Sequence, residues 1–281
     1  MSDVDMPPAQ PPAGLHEARA LHIDGAGRHA IADRVVEETP VALLYNGHPF
    51  AVMMATPCDL EDFALGFALS EGIVEQPREF QLVDCTRTGH GISLQALIPH
   101  ARFEALEARK RNLAGRSGCG LCGTESLQDA VRPLSRVDSR MQLEAQAVID
   151  ALHALAQRQP LNAQSGGVHA AGYAWNGDIL AREDVGRHNA LDKLVGALAG
   201  NAANGSGATD AWRERRGFLV ITSRASYEIV HKAASVGIAV VAAISAPTSL
   251  AIRLADDAGV TLIGFARDAG MNVYTHAQRL R

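Results

Sequence analysis

A two-domain chain, with an α+β first half and a three-layer α/β second half, is predicted from three features of the 281 residues. The Asn46-Gly47 and Asn176-Gly177 dipeptides each join two apolar runs, the signature of a tight β-hairpin. From residue 189 onward, short strand-like and helix-like segments alternate, a pattern that builds a sheet with helices packed on its faces. Between the halves, residues 114–142 hold no sustained period of 2 or 3.6 and cluster glycines around two cysteines, which predicts a mobile connector at a domain boundary.

The elements follow in order. Residues 1–20 open with MSDVDMPPAQPPAG, acidic, proline-rich and without the apolar core of a signal peptide, and are expected to be a disordered tail. The first domain, residues 21–113, starts with a hairpin of Val41–Tyr45 and Pro49–Ala55. Thr56-Pro57 is read as an N-cap and first-turn proline, after which Leu60, Phe63, Ala64, Phe67 and Ala68 recur at helical spacing until Gly72. Phe80–Cys85 and Ile92–Ile98, around Gly89-His90-Gly91, form a second hairpin, and a charged helix runs from Ala101 to about Leu113.

The second domain, residues 143–281, begins with a helix to about Gln157 and a hairpin of Val168–Trp175 and Ile179–Glu183. Then come helix Asn189–Leu198, strand Phe218–Thr222, helix Tyr227–Val236, strand Ile238–Ile244, helix Leu250–Asp257 and strand Val260–Phe265. Asn201–Thr209 reads as a surface loop.

A formal net charge of −5 gives no bulk attraction to nucleic acid or to a membrane surface, so an anionic ligand needs a local cluster of donors. The longest apolar run, around Ile238–Ile244, is far short of the ~20 residues of a membrane helix. Four cysteines are too few for a disulfide scaffold in a chain this long. A cytoplasmic protein with no nucleic-acid and no membrane partner is expected.

Chemistry concentrates in Arg116-Ser117-Gly118-Cys119-Gly120-Leu121-Cys122-Gly123. Two thiols three positions apart, unshielded by their glycine neighbours and close to a cation, suit thiolate chemistry. Three uses are open: half of a zinc site, a thioredoxin-like pair, or sulfur carriage through a persulfide. Zinc lacks a second ligand pair, because Cys58 and Cys85 stand apart, and a thioredoxin-like pair should open a helix directly after a strand. Sulfur carriage leads, with no permanently bound metal expected.

A second dense segment, Arg182-Glu183-Asp184-Val185-Gly186-Arg187-His188-Asn189-Ala190-Leu191-Asp192-Lys193, runs from a strand end into a helix start. It fits an anion site at a helix N-terminus, and equally a solvated loop whose polar groups cap and pair. Thr222-Ser223-Arg224-Ala225-Ser226-Tyr227-Glu228 repeats that strand-to-helix geometry, and two such loops side by side would make a pocket at the sheet's carboxyl edge. His169, at the start of an apolar strand, reads as a hydrogen-bonded core residue, and Arg213–Arg216 as a solvated face.

Together, RSGCGLCG, REDVGRHNALDK, TSRASYEIV and VYTHAQRL resemble the FdhD family, the formate dehydrogenase accessory sulfurtransferases, with VALLYNG and DLEDFALGFALSEGI matching earlier in the chain. The resemblance implies a second domain similar to the cytidine-deaminase fold and a homodimer. It implies a sulfur carrier that accepts persulfide sulfur from a cysteine desulfurase and passes it to the bis-molybdopterin guanine dinucleotide cofactor of formate dehydrogenase. By motif match, Cys119 is the persulfide carrier and Cys122 its partner in catalysis, while Phe265, Ala266, Arg267, Asp268, Ala269 and Gly270 bind the cofactor, including its guanine nucleotide moiety. A different class is a non-catalytic cofactor-binding chaperone whose cysteine pair holds metal. Zinc deamination is disfavoured, since His169 is followed by Ala170-Ala171 instead of x-Glu, and the cysteine pair precedes it.

Overall fold

The computed structural model describes residues 13–114, 134, 136–203, 216–267 and 270–281. Cys119, Cys122, Asp268, Ala269 and most of the expected connector at 114–142 lie outside the described residues. The described chain forms a β-rich first half and a mixed α/β second half, as the sequence predicts.

Strands β1 (Leu15–Asp24) and β2 (Gly27–Val36) make a two-stranded antiparallel ribbon. This corrects the expected tail at 1–20, because a strand already begins at Leu15, which is buried with Leu161 and Val168. Most of the ribbon is exposed on both faces, so it lacks the apolar alternation that marks a half-buried strand.

Strands β3 (Thr39–Tyr45), β4 (His48–Ala55), β5 (Gln81–Thr88) and β6 (Gly91–Leu97) form a sheet of order β4-β3-β6-β5, with β3 and β6 parallel. Asn46 and Gly47, at φ 49° and 83°, close the β3–β4 hairpin as their residue types require. Val41, Leu43, Tyr45, Ile92, Leu94 and Ala96 share one core with Phe63 and Phe67 of helix α1 (Leu60–Ser70). Thr56 does not cap α1, whose N-cap is Asp59. Its backbone N–H donates to Asp184 Oδ2 (3.0 Å) and its hydroxyl accepts from the Val185 N–H (3.1 Å), so the residue is committed to the other half of the molecule.

Helix α2 (His100–Ala114) ends the first half. The second half holds α3 (Ala145–Ala156), a single turn α4 (Asn162–Ser165), β7 (His169–Trp175), β8 (Asp178–Asp184), α5 (Arg187–Ala203), β9 (Phe218–Ile221), α6 (Tyr227–Ser235), β10 (Val240–Ala243), α7 (Ser249–Ala258), β11 (Thr261–Arg267) and β12 (Gly270–Val273). Helix α5 runs into the stretch expected as a loop from Asn201. The sheet order is β12-β11-β10-β9-β7-β8. Strands β9, β10 and β11 are mutually parallel, β7 is antiparallel to β9, and β8 is antiparallel to β7. Every residue of β9 and β10 is buried, so both faces of the sheet are covered there.

The halves join where α1 crosses α5. A Cβ built on Gly66 would lie 1.7 Å from the Asp192 carbonyl oxygen, and one on Gly196 would lie 1.8 Å from that of Asp62. The two helix backbones therefore touch, which only glycine at both positions permits. Around this contact Lys232 Nζ donates to both carboxylate oxygens of Asp192 (2.8 and 2.9 Å) and to Ser70 Oγ (3.1 Å), and lies 3.0 Å from Glu71 Oε1. Burial opposes a charged ammonium, but Asp192 and Glu71 outweigh it and hold the Lys232 pKa above its ordinary value. Lys193 Nζ reaches Asp184 Oδ2 (2.7 Å) and the Thr56 carbonyl (2.9 Å), with both ionic side chains fully buried.

Gly66→Ala is expected to destabilise the protein by about 1–3 kcal/mol or more, because the clash is with backbone. Gly200→Ala, in the same helix as Gly196 but with nothing within 4 Å of the new methyl, should instead stabilise by about 0.5–1 kcal/mol. Urea unfolding of the two variants checks both signs.

Candidate functional site at the carboxyl edge of the sheet

Strand direction gathers the sequence motifs. Since β8, β9, β10 and β11 run the same way, their carboxyl ends share one edge with the starts of β7 and β12. That edge carries His169, Asp184–His188, Thr222–Ser226, Ile244–Thr248, Phe265–Arg267 and Gly270. Helices α5, α6 and α7 all begin there, so their positive dipole ends converge.

Hydrogen bonds tie these loops together. The Ala170 N–H donates to Thr222 Oγ1 (2.9 Å) and the Thr222 N–H to the Ala170 carbonyl (3.1 Å). The Ala225 N–H donates to the Ala246 carbonyl (3.2 Å), the Thr248 N–H to the Ala225 carbonyl (3.0 Å), and the Phe265 N–H to the Ser245 carbonyl (3.2 Å). Thr248 caps α7 by accepting from the Ala251 N–H at 3.2 Å. Ser245-Ala246-Pro247-Thr248-Ser249 thus repeats the strand-to-helix passage of the Thr222–Tyr227 segment, a member of the site that the sequence reading did not single out. Its signal was the same: small hydroxyl residues between a buried strand and a helix.

The REDVGRHNALDK segment divides between two duties. Arg182 pairs with Asp62 (2.7 Å), and Glu183 accepts from the Leu161 and Asn162 N–H groups (2.9 and 2.8 Å). Asp184 accepts from the Gly186 N–H (2.7 Å) and Asn189 Nδ2 (3.0 Å), and Asn189 also donates to the Met54 carbonyl (2.7 Å). Arg182, Asp184, Asn189, Asp192 and Lys193 thus hold the seam between the halves, whereas Glu183 fastens β8 to the α4 turn within the second half. Arg187 and His188 remain for the site. Arg187 Nε is buried without a hydrogen-bond partner among the described residues, and its charge depresses both neighbouring imidazoles. His169 is lowered by burial first and by Arg187 second. His188, with Ser226 Oγ at 3.4 Å and Glu228 Oε2 at 3.7 Å, is pushed down to about 4, chiefly by burial and then by Arg187. His188 is therefore a neutral imidazole at pH 7.

Phe265–Arg267 and Gly270 reach the same edge. A register shift between Gly264 and Arg267 and a left-handed φ of 52° at Phe265 break the β11–β12 ladder. Phe265 is consequently 43% exposed, an unusual setting for a large aromatic side chain held in that backbone region. Arg267 is also exposed and donates from Nε to the Ile244 carbonyl (3.4 Å), whereas the Ala266 methyl is buried in the core, leaving that residue only its backbone to offer a ligand. Cys58, half-buried 3.7 Å from Lys193 Nζ, has its pKa raised by burial above all, and Cys85 is exposed on β5; both are free thiols. A cavity of about 480 Å³, lined by Arg140, Trp175, Asp178 and Arg216 among others, opens at the opposite end of the sheet and contains none of the motif residues.

Fold and site define an α/β protein whose second half gathers polar and cationic groups at the carboxyl edge of its sheet. The profile of the FdhD/NarQ family matches residues 36–281, and the chain belongs to that family. The sulfur carrier protein FdhD of Xanthomonas campestris pv. campestris strain B100 is 54% identical over 265 residues, covering 93% of this chain and 91% of its own length. The Bordetella petrii protein of the same name is 45% identical over 278 residues, covering 98% and 97%. A crystal structure described as a candidate formate dehydrogenase accessory protein from Desulfotalea psychrophila superposes with a TM-score of 0.69 at 24% identity, covering 95% of this chain and 99% of that one, which establishes a shared fold.

The His188 environment makes a pH prediction. A folded-state pKa near 4 against about 6.5 in the unfolded chain means that the unfolded state binds more protons between those values. Stability is fully present above about pH 6.5 and is lost as pH falls toward 4, by on the order of 2–3 kcal/mol. His188→Gln should flatten that part of a stability profile measured by urea unfolding from pH 7 to pH 4; an unchanged slope would assign the acid sensitivity to other groups.

Proposed function

We propose that this protein is a cytoplasmic sulfurtransferase that carries persulfide sulfur from a cysteine desulfurase to the bis-molybdopterin guanine dinucleotide cofactor of formate dehydrogenase. The carrying observation is membership of a family whose close relatives are named sulfur carriers, in a chain that keeps a glycine-flanked Cys-x-x-Cys. Cys119 acts as the nucleophile. Its thiolate attacks the outer sulfur of the donor persulfide, a new S–S bond forms on Cys119, and the donor cysteine leaves as a thiolate. Cys122, three residues on, serves as its partner in the relay.

The cofactor is the acceptor substrate, and the strand edge suits a polyanionic dinucleotide. Three helix N-termini, the Arg187 Nε that has no hydrogen-bond partner among the described residues, and the exposed Arg267 suit phosphate, and Phe265 presents an aromatic face beside them. Within the Phe265, Ala266, Arg267, Asp268, Ala269, Gly270 stretch, Arg267 pairs with a phosphate and Phe265 stacks on a ring. The parallel β9–β11 core, with β7 set antiparallel beside it, supports the likeness of the second half to the cytidine-deaminase fold, and fold likeness carries no deaminase activity here. A homodimer completes the proposal.

Wild-type protein incubated with a cysteine desulfurase and labelled cysteine should show one added sulfur on Cys119 by mass spectrometry. A Cys119→Ala protein that still loads sulfur and still activates formate dehydrogenase would overturn the assignment. Stoichiometric zinc lost on Cys122→Ala, with no loading in the wild type, would instead identify a metal-holding chaperone. For the acceptor site, calorimetry with GDP should show Arg267→Ala and Arg187→Ala each weakening binding about tenfold or more, the size of one charge-assisted hydrogen bond. Unchanged affinity removes that arginine from the site.

A further inference from the structure

The β1–β2 ribbon lies almost entirely before residue 36, where the family profile begins, and it sorts its residues by face. Register pairs His22 with His29 and Asp24 with Gly27, so His22, Asp24, His29 and Asp33 project from one face. Arg19, Arg28 and Arg34 project from the other. The histidine face of the tip is therefore free of the ribbon's own cations.

On that face one ligand atom each from His22, Asp24 and His29 lies within 4.8 Å of the other two. His22 Nε2 is 3.5 Å from Asp24 Oδ2, and the imidazole centroids are 4.9 Å apart. The turn orients the carboxylate: the Ala26 and Gly27 N–H groups donate to Asp24 Oδ1 at 2.8 and 3.2 Å, which leaves Oδ2 to point at His22. This is the arrangement a metal-ligating carboxylate takes when its second oxygen is held by neighbouring donors. A tetrahedral ion with bonds of about 2.0–2.1 Å sets its ligand atoms roughly 3.3–3.5 Å apart, so a small rotation of exposed imidazoles closes the triad.

We propose that His22, Asp24 and His29 form a surface site for a divalent transition metal, zinc in the first instance, with the fourth coordination position open to water or to a ligand from outside the chain. Two imidazoles and one carboxylate suit zinc and disfavour calcium or magnesium, which take oxygen ligands. The triad shares no residue with the cysteine pair or with the strand edge. By cross-linking the two strands at their tip, the ion would also rigidify a ribbon that has no third strand among the described residues.

The test uses full-length protein freed of any histidine tag and titrated with zinc by calorimetry in reduced buffer. Wild type should bind zinc at a site that His22→Ala/His29→Ala abolishes and Asp24→Asn weakens about tenfold or more, while Cys119→Ser/Cys122→Ser leaves it in place. All three ribbon residues are exposed, and circular dichroism should confirm unchanged folding of the variants. Absence of zinc binding in the wild type, or binding that survives His22→Ala/His29→Ala and disappears with the cysteine pair, overturns the proposal. Sulfur loading on Cys119 is a separate measurement, so failure here leaves the sulfur-carrier reading standing, and the reverse also holds.

Discussion

Backbone contact between α1 and α5 is the constraint on which the rest of the molecule depends. Glycine in a helix interior costs about 1 kcal/mol relative to alanine, and here Gly66 and Gly196 both occupy such positions because any side chain would meet a carbonyl of the facing helix. The close approach leaves no room for an apolar layer between the helices at the crossing. The flanking volume is filled instead by Asp192, Lys193 and Lys232, whose charges find partners on both halves of the chain. Removing one member of such a buried pair costs about 3–5 kcal/mol, since the other is left charged in a site without water. The two halves therefore associate in one geometry, or pay heavily for another.

That geometry decides what the carboxyl edge of the sheet can offer. Asp184 is the last residue of β8, and its carboxylate is bonded to Thr56, Lys193, Gly186 and Asn189. The following turn is thereby held from both sides, and Arg187 and His188 are delivered to the start of α5 rather than drawn into the seam. The shared direction of β8, β9, β10 and β11 then brings three further loops to the same edge, where the Ala225–Pro247 bridge and the Phe265–Ser245 bond lock them to one another. Electrostatics follow from burial: desolvation first, and the Arg187 charge second, lower the pKa of both His169 and His188.

The ribbon stands apart from this economy of shared contacts. It is anchored at its base by Leu15 and by the Arg34–Gln164 hydrogen bond, and beyond that it carries little apolar burial. Its order comes from cross-strand pairing and from the Asp24 turn. A tip ion would add a cross-strand link at the end of the ribbon farthest from its anchored base.

Much of the architecture was legible in the residues themselves. Asn-Gly turns require positive φ, and apolar period distinguishes α1, α3, α6 and α7 from the strands, because these are local consequences of side-chain shape and of what a helix or strand can bury. The family was legible in the same way, through motifs that are contiguous in sequence. What sequence could not supply was every feature that depends on which segments meet. Thr56 looked like a helix cap and became a ligand of Asp184; REDVGRHNALDK looked like one unit and divided into a seam and a site; Ser245–Thr248 drew no notice until strand direction set it beside Thr222–Ser226. Residues 15–36 showed no apolar alternation, since beyond Leu15 and Val36 at its base the ribbon buries little against the core, and only the cross-strand register revealed that His22, Asp24 and His29 stand together. Hydrophobic periodicity reports burial within an element, whereas polar groups acquire their roles from partners far along the chain, and those partners are chosen by tertiary packing.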